Sequence, residues 1–166
     1  RAPMQQLGAC GCAPADVVLC MGNSIPHLLE DADLGAALSG MVGLCRPGGG
    51  VLLQLLNYAR VLDGRERIVG IDRDAAADVT YVRFYDFLSP QRLRFNVLRL
   101  AGEAGDGPVR HELTDTMLRP WTAQELTAAL RQAGCGQVGL HAGDLRAYDA
   151  GAATVLLEGR VQGPGA

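Results

Sequence analysis

The side chains best placed for chemistry stand where apolar runs stop abruptly. One run ends in Met21-Gly-Asn-Ser24, with His27 just beyond a proline. Another ends in Leu56-Asn-Tyr58. Each break replaces aliphatic side chains with an amide, a hydroxyl or a phenol. Gly22 lets a backbone come close to a ligand. Asn23 offers both a donor and an acceptor. These groups suit the binding and orienting of a small molecule. They also have a bland reading, since Asn23 and Ser24 are common turn residues and Tyr58 can be a packed strand end. Cys10-Gly-Cys12 is the other candidate cluster. A metal site needs more ligands at suitable spacing, and no second pair follows. The pair therefore reads as small residues in a Gly/Ala loop, and no metal is expected. The sequence carries no glycine-rich dinucleotide fingerprint, no zinc-type spacing and no nucleophile elbow.

Strand and helix signals place these residues. Residues 16–21 have the length and branching of a buried parallel strand. Asp31-Ala-Asp33 opens a helix, and Leu34, Leu38, Met41, Val42 and Cys45 recur on one face. Arg46-Pro-Gly-Gly-Gly50 ends it, and residues 51–56 form a second buried strand. Together they make a right-handed βαβ unit. Ligands of open α/β sheets bind outside the carboxyl ends of the strands. There Met21-Gly-Asn-Ser24 faces Asn57-Tyr58, with His27 on the rim.

The middle of the chain changes character. Residues 80–88 and 93–100 alternate like antiparallel strands, followed by a Gly-rich turn over 101–108 and a third strand over 109–117. The α/β pattern then resumes. Thr122-Ala-Gln-Glu125 is a capping box ahead of a helix that Gly134 stops. Short strands follow at 138–141 and 153–161, and Gly163-Pro-Gly165 reads as a frayed tail. The expected organisation is one α/β domain over 1–166 with an antiparallel insertion at about 79–118.

Composition bounds the function. The 166 residues suffice for one core, and 48% are hydrophobic. A net charge of −3 gives no footprint for nucleic acid. All 15 basic residues are arginine, which reads as compositional bias of the source genome. No apolar run has the length of a membrane span. Five cysteines without a secretory signal argue against a disulfide framework and for a cytoplasmic setting. The expected partner is a small-molecule substrate, with self-association left open. The first residue is Arg, and residues 1–7 read like the inside of a domain.

Asp16-Val-Val-Leu-Cys-Met-Gly-Asn-Ser-Ile-Pro-His-Leu28 resembles the fourth strand and following loop of class I S-adenosylmethionine-dependent methyltransferases, nearest to the glycine/sarcosine N-methyltransferase branch. Leu44-Cys-Arg-Pro-Gly-Gly-Gly-Val-Leu-Leu53, Asn57-Tyr58 and Gly143-Asp-Leu-Arg-Ala-Tyr148 carry the same resemblance. It implies the C-terminal portion of a seven-stranded Rossmann-like sheet, without the N-terminal half that holds the cofactor loop. It implies S-adenosyl-L-methionine as cofactor, with Met4, Met21, Gly22 and His27 lining its pocket. It places Asn23, Asn57 and Tyr58 toward the acceptor, an amine or amino-acid-like nitrogen. The glycine-specific enzymes carry an arginine where Leu56 stands here; Arg83 and Arg119 are candidate replacements. Methyl transfer is a direct displacement, so the protein contributes mainly positioning and no general base is named. A non-catalytic binding or dimerisation module is the alternative, and a nicotinamide oxidoreductase a weaker one. The isolated chain is expected to bind the cofactor poorly.

Overall fold

The computed structural model describes residues 3–102 and 108–163. Arg1, most of the Gly-rich turn expected over 101–108 and the end of the tail expected over 163–165 lie outside them. The chain divides into two compact units, Arg1–Asp63 with Arg119–Ala166, and Gly64–Leu118.

In the first unit, strand β1 (Ala15–Cys20) leads through helix α1 (Asp31–Gly43) to strand β2 (Cys45–Leu56), which pairs with it in parallel. Asp31 and Asp33 occupy the first turn of α1, where carboxylates offset the positive end of the helix dipole. The Arg46-Pro-Gly-Gly-Gly50 segment does not precede the second strand but forms its opening stretch. Gly49 is required there. A Cβ would lie 2.8 Å from the Asp16 carbonyl oxygen and 2.9 Å from that of Arg46. A short helix, α2 (Tyr58–Gly64), follows.

The second unit is one antiparallel sheet of β3 (Ile68–Asp74), β4 (Val79–Ser89), β5 (Arg92–Ala101) and β6 (Arg110–Leu118), in that order. Strand β3 is an addition to the three strands expected. Its glycine and three charged residues hide an edge strand from pattern reading.

The chain then returns to the first unit through α3 (Ala123–Gln132), β7 (Cys135–Ala142) and β8 (Thr154–Val161). The capping box is present: the Glu125 N–H donates to Thr122 Oγ1 at 3.2 Å, and the Thr122 N–H donates to Glu125 Oε2 at 2.8 Å. The sheet order is β1-β2-β8-β7, with β8 antiparallel to both neighbours. Val51, Leu53 and Leu55 of β2 and Val155 and Leu157 of β8 face Leu34 and Leu38 of α1 and Leu126 and Leu130 of α3, all buried. This is the core. Trp121 closes it, its Nε1–H donating to the Leu28 carbonyl at 2.8 Å. The buried Arg119 guanidinium lies 3.5 Å from the Trp121 ring centroid and pairs through two nitrogens with Asp31, at 3.0 and 3.1 Å.

Strand β1 is parallel to β2 as expected and lies outermost among the described strands of its sheet, with Val17 and Leu19 53% and 61% exposed. Both point to the sheet face opposite Val51 and Leu53, and α1 and α3 cover only the latter. On the open face Val17, Leu52, His141, Leu145 and Leu156 line a shallow hollow of about 420 Å³. No helix among the described residues is long and apolar enough to cross a membrane.

Candidate functional site

The candidate site forms where β1 and β2 end side by side. Beyond Cys20 the backbone reverses through two consecutive left-handed residues, Gly22 at φ 71° and Asn23 at φ 61°. Glycine adopts that region freely, and asparagine is among the few other residues that tolerate it. The turn is fastened to β2. The Gly22 N–H donates to Gln54 Oε1 at 2.8 Å, and the Asn23 N–H donates to the Gln54 carbonyl at 3.3 Å. Ser24 Oγ donates back to the Met21 carbonyl at 2.8 Å. A single 3-10 turn, Ile25–His27, follows, with Ile25 and Pro26 buried as anchors and His27 exposed.

Asn23 links the two strand ends. Its Nδ2 donates to the Tyr58 hydroxyl at 2.9 Å, and its Oδ1 accepts from the Leu56 N–H at 3.2 Å. Tyr58, at the start of α2, is buried. Asn57 is buried as well and turns the other way. Its Nδ2 donates to the carbonyls of Ala150 and Ala152 at 3.1 and 3.0 Å, and its N–H donates to the Ala153 carbonyl at 3.0 Å. It therefore holds the end of β2 against the loop that leads into β8. Tyr148 joins it, donating its hydroxyl to Asn57 Oδ1 at 3.4 Å.

Met4 approaches from a 3-10 turn, Met4–Ala9, packed on α1 at Gly40, where a Cβ would lie 3.0 Å from Leu7 Cβ and the Gly8 nitrogen. The Met4 sulfur accepts from the Cys20 thiol at 3.9 Å, so Met4 sits beside the end of β1. Burial pushes the Cys20 thiol up, which keeps it protonated and apolar beside the site. The structure thus brings Met4, Met21, Gly22, Asn23, Asn57 and Tyr58 around one pair of strand ends, with His27 on the outer turn. Gln54 and Tyr148 are further participants. Gln54 was visible as the one polar residue in an otherwise aliphatic strand, Val51-Leu-Leu-Gln-Leu-Leu56. The partnership of Tyr148 with Asn57 had no local signal.

Arg119, a candidate replacement for the missing arginine, is engaged by Asp31 and Trp121 within the core. Arg83 pairs with Asp72 on the antiparallel sheet. Among the described residues no group of three or more metal-ligating side chains exists.

Beyond its two chain neighbours no atom lies within 4 Å of where a Gly22 Cβ would be, and Met21 is 44% exposed.

Comparison with known proteins bears on the fold. No family model and no curated protein matches the chain. Solved structures do. An S-adenosylmethionine-dependent methyltransferase from Clostridium acetobutylicum superposes with a TM-score of 0.76 at 10% identity, over 95% of this chain and 63% of that one. A sugar N-methyltransferase from Streptoalloteichus gives 0.71 at 23% identity, over 97% and 61%. This is the fold of the class I S-adenosylmethionine-dependent methyltransferases. An amino pentose methyltransferase from Micromonospora echinaspora, solved with S-adenosylmethionine bound, gives 0.69 at 20% identity, over 95% and 62%. The chain therefore spans less than two thirds of the length of each of these structures.

Proposed function

We propose that the chain is part of an S-adenosylmethionine-dependent methyltransferase that methylates the nitrogen of a small-molecule amine. The observation that carries this reading is the Asn23–Tyr58 hydrogen bond, 2.9 Å long, joining the carboxyl ends of two parallel strands in a methyltransferase fold. That position is where open α/β sheets take their ligands. Met4, Met21, Gly22 and His27 would hold the cofactor, which when bound supplies an electrophilic methyl group on a sulfonium. Asn23 and Tyr58 orient the acceptor. Asn57 fixes the end of β2 and acts through Tyr58. The acceptor amine loses its proton to water before binding, so the residues' work is alignment.

Acceptor class is read from the residues at the strand ends: Leu56 stands where a carboxylate-clamping arginine would, and the Arg119 guanidinium is already paired with Asp31. That favours a neutral amino sugar over glycine. The sugar N-methyltransferase and amino pentose methyltransferase among the similar structures support the same choice.

The test is transfer of a labelled methyl group, by the protein that carries this chain, to a panel of amino sugars and amino acids. Methylation of amino sugars is expected, with turnover falling about tenfold or more in Asn23→Ala and Tyr58→Phe. Unchanged turnover and acceptor affinity in both variants would remove these residues from the site. No transfer to any amine would overturn the activity.

A further inference from the structure

We propose that Cys10 and Cys12 form a thiol–disulfide exchange site, which takes a low-molecular-weight disulfide bearing peptide-like amides and closes reversibly to an intramolecular disulfide. The two thiols stand one residue apart in the loop between the 3-10 turn Met4–Ala9 and β1. Cys10 caps that turn, its N–H donating to the Leu7 carbonyl at 3.1 Å, so one sulfur is carried on an anchored backbone. Gly11 follows at φ 63°, a left-handed conformation that glycine adopts without strain. The turn folds the pair onto itself. The Cys12 N–H donates to Cys10 Sγ at 3.3 Å, and Cys12 Sγ donates to the Cys10 carbonyl at 3.9 Å. Beyond its two chain neighbours no atom lies within 4 Å of where a Gly11 Cβ would be, so the loop has room to draw the sulfurs together and to admit a reagent. The pair belongs to no group of three metal-ligating side chains among the described residues, so it reads as a dithiol rather than a metal site.

The surroundings divide the work between the two sulfurs. Cys12 is exposed and Cys10 half-buried, whereas Cys20, Cys45 and Cys135 are buried. The hydrogen bond between the two thiols holds Cys10 below its usual range and pushes Cys12 up. Cys10 is therefore the attacking sulfur and Cys12 the resolving one. The Cys10 thiolate attacks one sulfur of the disulfide RSSR. A Cys10–SR bond forms, the original S–S bond breaks, and RS⁻ leaves. Cys12 gives its proton to water and attacks the Cys10 sulfur, forming the Cys10–Cys12 bond and releasing the second RS⁻. Both leaving thiolates take up protons, so the pair loses two electrons and two protons and RSSR becomes two RSH. A disulfide that spans a single residue closes a small exposed ring, and strained or exposed disulfides are the readily reduced ones. The preference for amides comes from a hollow of about 510 Å³ that adjoins Cys10, lined by Gln5, Gln6 and Ser39 beside Gly8 and Ala9. Its amide and hydroxyl groups can donate to and accept from peptide groups of the ligand.

Incubation of the protein that carries this chain with oxidised glutathione, followed by alkylation and fragmentation mass spectrometry, tests this. The wild type is expected to lose two hydrogens between Cys10 and Cys12 before Cys20, Cys45 or Cys135 changes, and to regain them with reduced glutathione. Cys12→Ser should instead accumulate glutathione on Cys10. Cys10→Ser should slow the reaction of Cys12 about tenfold or more. Both positions lie outside the strands and helices, so the circular dichroism spectrum of each variant should be unchanged. Combining Gln5→Ala with Gln6→Ala should slow oxidation by oxidised glutathione but not by hydroxyethyl disulfide, which has no amide. A wild type in which Cys10 and Cys12 stay reduced, or react no faster than the buried thiols, overturns the proposal. So does a mixed disulfide on the wild type that never passes to Cys12. Equal slowing of both reagents by the glutamine variant, or of neither, overturns the amide-bearing substrate.

Discussion

Replacing Asn23 by alanine removes three things at once, and each has a magnitude. The Leu56 N–H loses its acceptor, and the Tyr58 hydroxyl loses a donor. Each such loss at a half-buried site costs about 1 kcal/mol. The backbone must also keep φ near 61° without an asparagine, which costs about 1 kcal/mol more. Asn23→Ala should therefore destabilise the protein by about 3 kcal/mol. Asn23→Gly loses the same hydrogen bonds but relieves the backbone, so its cost should be about 2 kcal/mol. Urea unfolding followed by the fluorescence of Trp121, the single tryptophan, reads both values. Trp121 is buried in the unit that contains Asn23, so it reports the relevant transition. A loss under about 0.5 kcal/mol for alanine would refute the linking role. Equal losses for glycine and alanine would refute the backbone contribution.

Other outcomes follow from the same packing. Gly49→Ala should lower the melting temperature markedly, at about 1–3 kcal/mol, because its Cβ meets two carbonyl oxygens under 3.0 Å away. Gly22→Ala has open space and should cost only about 1 kcal/mol for its left-handed backbone. Arg119→Lys, measured by the same urea titration, should cost about 1–2 kcal/mol, since lysine cannot reproduce the two-nitrogen pair with Asp31. In a thiol titration of the native protein, Cys10 should react first. The Cys12 hydrogen bond holds the Cys10 thiol below its usual range, whereas burial pushes up those of Cys20, Cys45 and Cys135. Five thiols reacting at one rate would contradict this.

The parts of this fold that local pattern dictates were legible in the sequence. Leu126 and Leu130 behind a Thr122–Glu125 box declare a helix wherever they occur. The aliphatic runs around Leu19 and Leu53 declare strands. What the sequence does not carry is which strands are neighbours. The pairing of β2 with β8, far along the chain, has no local signal. Strand β3 is hidden in the sequence because Asp72, Arg73 and Asp74 suit an edge and disguise it. At the site, the abrupt change from aliphatic to polar located Asn23 and Tyr58. The commitment of the Asn57 amide to Ala150 and Ala152, nearly a hundred residues on, is a tertiary fact.

In the function proposed above, the loop after β1 receives the cofactor. A two-dimensional NMR titration with S-adenosylhomocysteine of the labelled protein that carries this chain tests it, because it reports where binding occurs. Shifts are expected to concentrate in the backbone amides of Met21, Gly22, Asn23 and His27, with smaller changes at Tyr58. Shifts confined to other regions, or none at saturating ligand, would contradict it.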